Sequence, residues 1–163
     1  MTDLHYWSIE KLSGALRSGA ISPVEVVRTM LDRIERLDGG LHAYITVMGE
    51  QALARARIAE DEIGRGLWRG PLHGVPIGLK DLFYTKDAPT TAGMKIYQHY
   101  IPDYDATVVE RLYAAGAIVL GKLTLTEGAY TNNHPIYPVP INPWNAEYWA
   151  GTSSSGSGVA TAA

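Results

Sequence analysis

The chain has 163 residues, 14 Lys and Arg against 17 Asp and Glu, a formal charge of −3, and 19% charged residues, below the roughly 25% usual for soluble domains. No apolar run approaches the ~20 residues of a membrane-spanning helix, residues 1–6 lack the basic flank and apolar stretch of a signal peptide, and the absence of cysteine excludes disulfides, thiolate nucleophiles and Cys-ligated zinc. The mildly acidic balance, with no run of Lys or Arg, argues against a nucleic-acid partner, so the expectation is one domain, cytoplasmic, acting on a small molecule.

In chain order, Ser8 can cap a short helix ending near Gly19. Ser22-Pro23-Val24-Glu25 then supplies an N-cap, a first-turn proline and a capping-box acid. The helix that follows carries Val27, Met30, Leu31, Ile34 and Leu37 at helical spacing, and Gly39-Gly40 is its expected stop. Residues 43–47 are rich in β-formers and predict a strand, whereas Gln51 to Ile63 predicts a helix ending at Gly64 or Gly66. Beyond Gly70-Pro71 glycines and prolines bracket short apolar runs, and the texture becomes α/β. His73 to Leu79 reads as a buried strand and Asp105 to Ala115 as a capped helix with Val108, Val109 and Leu112 inward. Ala117 to Leu120 reads as a buried strand of a parallel βαβ unit. Prolines 135, 138, 140 and 143 make residues 130–149 an ordered loop. Gly156 to Ala163 begins a helix of small residues and stops without a terminator, so the chain is expected to be the first part of a longer protein. The division is an N-terminal helical segment, 1–69, and the beginning of an α/β core, 70–163.

Several motifs invite a chemical reading that their context denies. Gly116 to Lys122 matches the spacing of a phosphate-binding loop, but the intervening residues are a buried-strand run and Leu123 stands where a Mg²⁺-ligating hydroxyl belongs. Ser8-Ile9-Glu10-Lys11 imitates a Ser-x-x-Lys motif without its partner motifs. Histidines 5, 42, 73, 99 and 134 show no metal-ligand spacing, so no metal or other cofactor is expected. Seven of the ten tyrosines lie between Tyr97 and Trp149, in loops that either line an organic pocket or form loop cores.

Two features carry more. No serine occurs between Ser22 and Ser153, and then Gly151-Thr152-Ser153-Ser154-Ser155-Gly156-Ser157-Gly158 places five hydroxyls among three glycines. Glycines allow unusual dihedrals and close backbone approach while hydroxyls exchange protons, which suits a catalytic loop at a helix start. Lys80 follows the apolar run Val75 to Leu79, where desolvation lowers an amine's pKa and makes it a usable base. The plainer alternative is a strand-end lysine paired with Asp81 or reaching to water.

Taken together, Gly70 to Asp81 (Gly-Pro-Leu-His-Gly-Val-Pro-Ile-Gly-Leu-Lys-Asp), Gly121-Lys122, Asn142-Pro143-Trp144-Asn145 and the Gly/Ser segment resemble the amidase signature family in order and separation. The resemblance implies a mixed sheet flanked by helices, of which this chain holds the N-terminal part, and hydrolysis of a small-molecule amide by a Ser, cis-Ser, Lys triad through an acyl-enzyme. It implies Lys80 as the triad lysine and Ser153 as the cis-serine, with Gly151, Thr152, Ser154 and Ser155 as the supporting loop. The nucleophilic serine and oxyanion hole are expected past Ala163, leaving these residues inactive alone. Where many members read Gly-Gly-Ser-Ser-Gly-Gly-Ser, Thr152 and Ser155 replace glycines. The alternatives are a non-catalytic scaffold and an amidotransferase component that acts on charged tRNA, and truncation is expected to favour a homo-oligomer.

Overall fold

The computed structural model describes residues 4–130 and 132–163. After a 3-10 turn at Leu4–Tyr6, α1 (Ile9–Arg17) starts at Ser8, whose Oγ accepts from Lys11 N at 3.2 Å. This cap is the role of the Ser-x-x-Lys motif. Helix α2 (Pro23–Leu41) is capped by Ser22 Oγ, which accepts from Val24 N at 3.0 Å and Glu25 N at 3.3 Å. It does not stop at Gly39-Gly40. The helix runs on until His42 takes a left-handed conformation, φ 56°, and donates to Asp38 O at 2.8 Å. The Asp38 carboxylate accepts from Ala43 N at 2.7 Å and Tyr44 N at 3.2 Å, so the terminator is a carboxylate catching the outgoing chain.

Strand β1 (Tyr44–Val47) and helix α3 (Gly49–Gly64) follow. Strand β2 is Pro76–Lys80, starting three residues later than the sequence suggests because residues 71–74 form a turn. Helix α4 (Thr107–Ala114) is flanked by Ala106 instead of Asp105, whose Oδ1 accepts from Lys86 N at 2.9 Å. Val109 is buried but Val108, expected inward, is 42% exposed. Strand β3 (Ile118–Leu123) is longer than expected, buried throughout, and takes in Gly121 and Lys122. Residues inside a hydrogen-bonded strand cannot present a loop of N–H groups to phosphate, so the phosphate-loop spacing is incidental. Helix α5 (Ser155–Ala162) closes the chain.

The sheet order is β1-β3-β2, with β3 antiparallel to β1 and parallel to β2, the mixed sheet that the resemblance implied. On one face Ile118 and Leu120 pack with Val27 of α2 and Ala52, Ala56 and Ala59 of α3. On the other, Val119 and Leu79 pack with Met48, Ala88 and Val109. Leu12, Leu16, Val26 and Val75 tie α1 and α2 to the entry of β2. The pairing of β2 with β3 runs Pro76 to Ile118 and Ile77 to Val119, then skips Leu120 and resumes Gly78 to Gly121, Leu79 to Lys122 and Lys80 to Leu123. This bulge reverses the alternation of β3, because an inserted residue moves every later side chain to the opposite face. Lys122 therefore shares the face of Leu79 and Val119 instead of the face of Ile118 and Leu120.

Gly121 sits at the bulge, where an added Cβ would lie 2.3 Å from Thr46 O and 3.1 Å from Val47 Cα. Neither backbone atom can move without parting β1 from β3. Gly121→Ala is expected to destabilise the chain by about 1–3 kcal/mol, the usual cost of overpacking, read as a lower urea midpoint at unchanged m-value. A midpoint equal to that of the unaltered chain would show that β1 yields freely.

Candidate active site

Lys80 is the last residue of β2, and α5 packs against β2 and β3 on one face of the sheet. Strand alternation puts Lys80 with Gly78 and Leu123 on that face, where Leu123 covers Gly78. Ahead of α5, Ser153 adopts a left-handed backbone, φ 59°, which is uncommon for a non-glycine residue and persists only where its surroundings enforce it. Lys80 Nζ then lies 2.7 Å from Ser153 Oγ. Two residues 73 positions apart are joined by a short, part-buried hydrogen bond.

Hydroxyls hold the serine turn. Ser153 N donates to Thr126 Oγ1 at 3.1 Å, and Thr126 Oγ1 donates to Tyr130 O at 2.9 Å. Thr152 Oγ1 donates to the same carbonyl at 2.7 Å. Thr126, fully buried, carries no signal of this role in the sequence, where a threonine after a strand reads only as a β-former. Ser154 flanks α5, and its N–H donates to Thr152 O at 2.7 Å. Ser155 is buried with no partner for its hydroxyl among the described residues. Gly156 N donates to Thr124 O at 2.9 Å, and a Cβ there would lie 2.4 Å from Ala43 O. Gly151, at φ 92°, makes the turn into the loop. Every peptide bond of the described residues is trans in this structure, and Ser153 is presented by its left-handed backbone.

Asp81, adjacent to Lys80, points to the opposite face. Its Oδ1 lies 3.0 Å from Lys122 Nζ, an ion pair of two side chains with no solvent exposure, and its Oδ2 accepts from Thr91 N at 2.9 Å and from the Thr91 hydroxyl. Lys122 Nζ also donates to Thr90 Oγ1 at 2.7 Å and Pro89 O at 3.2 Å. The alternative in which Asp81 pairs with Lys80 is excluded, because its carboxylate is already engaged across the sheet. Burial alone lowers the Lys80 pKa below the ordinary 10.5, and burial lowers that of Lys122 against the opposing pull of Asp81.

The remaining candidates resolve plainly. Tyr84 packs against Tyr100 and Tyr104, and Tyr97 against Tyr100, with ring centroids 5.4–6.0 Å apart; Tyr97, Tyr100 and Tyr104 are exposed, so this is a surface cluster of rings on the loop. No cluster of three or more acidic or imidazole side chains fit to hold a metal occurs among the described residues. His73 is buried against Glu62, its Nε2 3.0 Å from Glu62 Oε2.

The family described as Amidase matches residues 25–163. The chain belongs to this family. It is 55% identical over 155 residues to a putative amidase, AmiD, of Mycobacterium tuberculosis strain H37Rv, covering 95% of this chain and 33% of that protein. It is 46% identical over 162 residues to a glutamyl-tRNA(Gln) amidotransferase subunit of Thioalkalivibrio sulfidiphilus, covering 98% and 33%. Among solved structures, native peptide amidase of Stenotrophomonas maltophilia superposes with a TM-score of 0.87 at 33% identity, over 95% of this chain and 34% of that one. A bacterial aryl acylamidase of the amidase signature enzymes gives 0.88 at 28% identity, over 95% and 33%. The chain thus has the mixed α/β fold of amidase signature enzymes and spans about a third of the length of the relatives it matches.

Two outcomes follow from this geometry. Thr126→Val removes both the acceptor for Ser153 N and a donor to Tyr130 O, and is expected to cost on the order of 1 kcal/mol or more and to raise hydrogen exchange at Ser153; Thr126→Ser should keep both bonds. For Lys80, the folded pKa lies below the unfolded value, so the unfolded chain binds the extra proton between the two. The partly buried ammonium weakens the fold at pH values below the lowered pKa, and this cost is relieved as pH rises from there toward 10.5. The midpoint of Lys80 acylation, followed by mass spectrometry against pH, is expected below 10.5 in the folded chain and near it in denaturant.

Proposed function

We propose that the protein hydrolyses a carboxylic amide through an acyl-enzyme, with Lys80 as base and Ser153 as proton relay. The observation that carries this reading is the 2.7 Å hydrogen bond between a desolvated lysine and a hydroxyl held in a left-handed turn, in a chain of the amidase family.

A serine hydroxyl is a weak nucleophile until a base takes its proton during attack. Neutral Lys80 accepts the Ser153 proton while Ser153 accepts that of the attacking hydroxyl, which the family resemblance locates in the portion of its relatives that this chain does not span. As the C–N bond breaks, the proton returns from the Lys80 ammonium through Ser153 to the departing nitrogen, which would otherwise leave as an unstable anion. Water then repeats the sequence on the acyl-enzyme. On this reading no imidazole or metal is required.

Kinetics of an aryl amide with the full-length protein provide the test. Lys80→Met and Ser153→Ala are expected to lower kcat by about 10²–10⁴-fold, the usual scale for a positioned proton-transfer group, with circular dichroism unchanged. The kcat of the unaltered enzyme is expected to climb as pH passes the lowered Lys80 pKa, since the amine must be neutral. Full activity in Lys80→Met would remove the base from the mechanism. The 163 residues alone are expected to turn over no amide.

A second reading is favoured by the 46% identity to an amidotransferase component: release of ammonia from an amide donor for transfer to a charged tRNA. Amide hydrolysis in the absence of tRNA and partner proteins supports the first reading, and turnover only in their presence supports the second. A cytoplasmic site of action fits both; among the described residues no helix is long and apolar enough to cross a membrane.

A further inference from the structure

The fully buried pair of Asp81 and Lys122 is unexplained by the proton relay. Burying two charges costs several kcal/mol of solvation per ion, which their attraction repays only in favourable geometry, and apolar replacements of such pairs are often as stable. Here the pair stands directly across the sheet from the relay. Lys80 and Asp81 are consecutive residues that point to opposite faces, and Leu79 and Lys80 of β2 lie opposite Lys122 and Leu123 of β3. Only the bulge at Leu120 delivers Lys122 to the Asp81 face.

We propose that Lys122 is a positioning residue of this site, acting through Asp81: it holds the Asp81 carboxylate on the far face of the sheet and balances its charge there, so that Lys80 keeps Ser153 as its side-chain partner. Four hydrogen bonds fix the arrangement. Asp81 N donates to Leu123 O at 3.0 Å, Ala92 N donates to Asp81 O at 3.0 Å, and Lys122 Nζ binds Thr90 and Pro89. The strand end carrying Lys80 is thereby clamped to β3 and to the loop of residues 89–93.

Few other charges bear on Lys80. The ionisable side chains of the turn after β2 are Asp81, Tyr84, Lys86 and Asp87. The segment holding Ser153 contributes Glu127 and Tyr130, β3 contributes Lys122, and α5 carries none. Burial alone acts on Lys80, and Asp81 is the one charge acting on Lys122. An uncompensated carboxylate one strand thickness away would raise a neighbouring amine by about one pH unit at an effective dielectric of about 20.

The inference rests on Lys80 acting as base, but its test reads Lys80 directly and does not need turnover. In the full-length protein, Lys80 acylation by acetic anhydride is followed against pH by mass spectrometry. Lys122→Met, which leaves Asp81 unbalanced, is expected to raise the Lys80 midpoint by about one pH unit, or about tenfold slower labelling at a fixed pH below it. Asp81→Asn with Lys122→Met removes both charges and is expected to return the midpoint to that of the unaltered protein. Lys122→Met that folds by circular dichroism yet leaves the midpoint unmoved would overturn the proposal, as would a double variant that fails to restore it. Should Lys122→Met not fold, Asp81→Asn alone, which leaves the Lys122 ammonium unbalanced, must lower the midpoint; an unmoved midpoint there also refutes the role. Absence of amide turnover in the unaltered protein would count against the hydrolase reading without touching this result.

Discussion

The site depends on the parallel pairing of β2 with a bulged β3. A parallel pair cannot be closed by a tight turn, so the chain leaves β2 at Lys80, travels through the 81–106 loop and α4, and returns through the buried strand β3. That excursion places the end of β2 beside the end of β3, from which Thr124 and Thr126 extend toward the serine turn. Gly156 N bonding to Thr124 O and Ser153 N bonding to Thr126 Oγ1 then seat the start of α5 against the same strand end. Lysine and serine meet because both segments are hydrogen-bonded to one strand and its continuation.

The two faces of this sheet do different electrical work. On the α5 face, Lys80 is desolvated and its hydrogen-bonding side chain is a neutral hydroxyl. On the α4 face, an ammonium and a carboxylate are buried together. Separation by a single layer of backbone lets an amine with a lowered pKa sit next in sequence to an aspartate without being paired by it. The glycines that permit this are few: Gly121, where β1 backbone crosses closely, and Gly156, where α5 touches the entry of β1 and the exit of β3.

Thr152 and Ser155, the departures from the common glycine-rich pattern, have distinct structural roles. Thr152 gains a hydrogen bond to Tyr130 O that a glycine cannot make, joining the proline-rich loop of residues 130–149 to the serine turn at its base. Ser155 occupies the first turn of α5 and is buried, and its small side chain is tolerated where Gly156 next to it has no room for any. The serine carried over from the resemblance, Ser153, is the one hydrogen-bonded to Lys80.

Much of the molecule was legible in the amino-acid order. Helix α1 announces itself through Ser8, α2 through Ser22 and the helical spacing of its apolar side chains, and α3 through its run of Ala, Arg and Glu, local properties that survive any tertiary setting. Lys80 at the end of an apolar run and the concentration of serines after Gly151 mark the candidate site, because desolvated amines and glycine-flanked hydroxyls are rare combinations. What local order left undecided were features fixed by partners distant in the chain. The end of α2 fell to Asp38 catching Ala43 and Tyr44 instead of to Gly39-Gly40, and Val108 faces outward because α4 packs on the sheet through Val109. Thr126 became part of the site only through a turn 27 residues later. The side on which Lys122 lies was set by one skipped residue in the β2–β3 register: unbroken strand alternation would put residues 118, 120 and 122 on one face, and the bulge reverses the last of them. The sequence by itself determined which residues are chemically suited to a site, since side-chain type and apolar context are local; the tertiary structure alone decided which of them meet, since strand register and backbone crossing depend on hydrogen bonds between segments far apart in the chain.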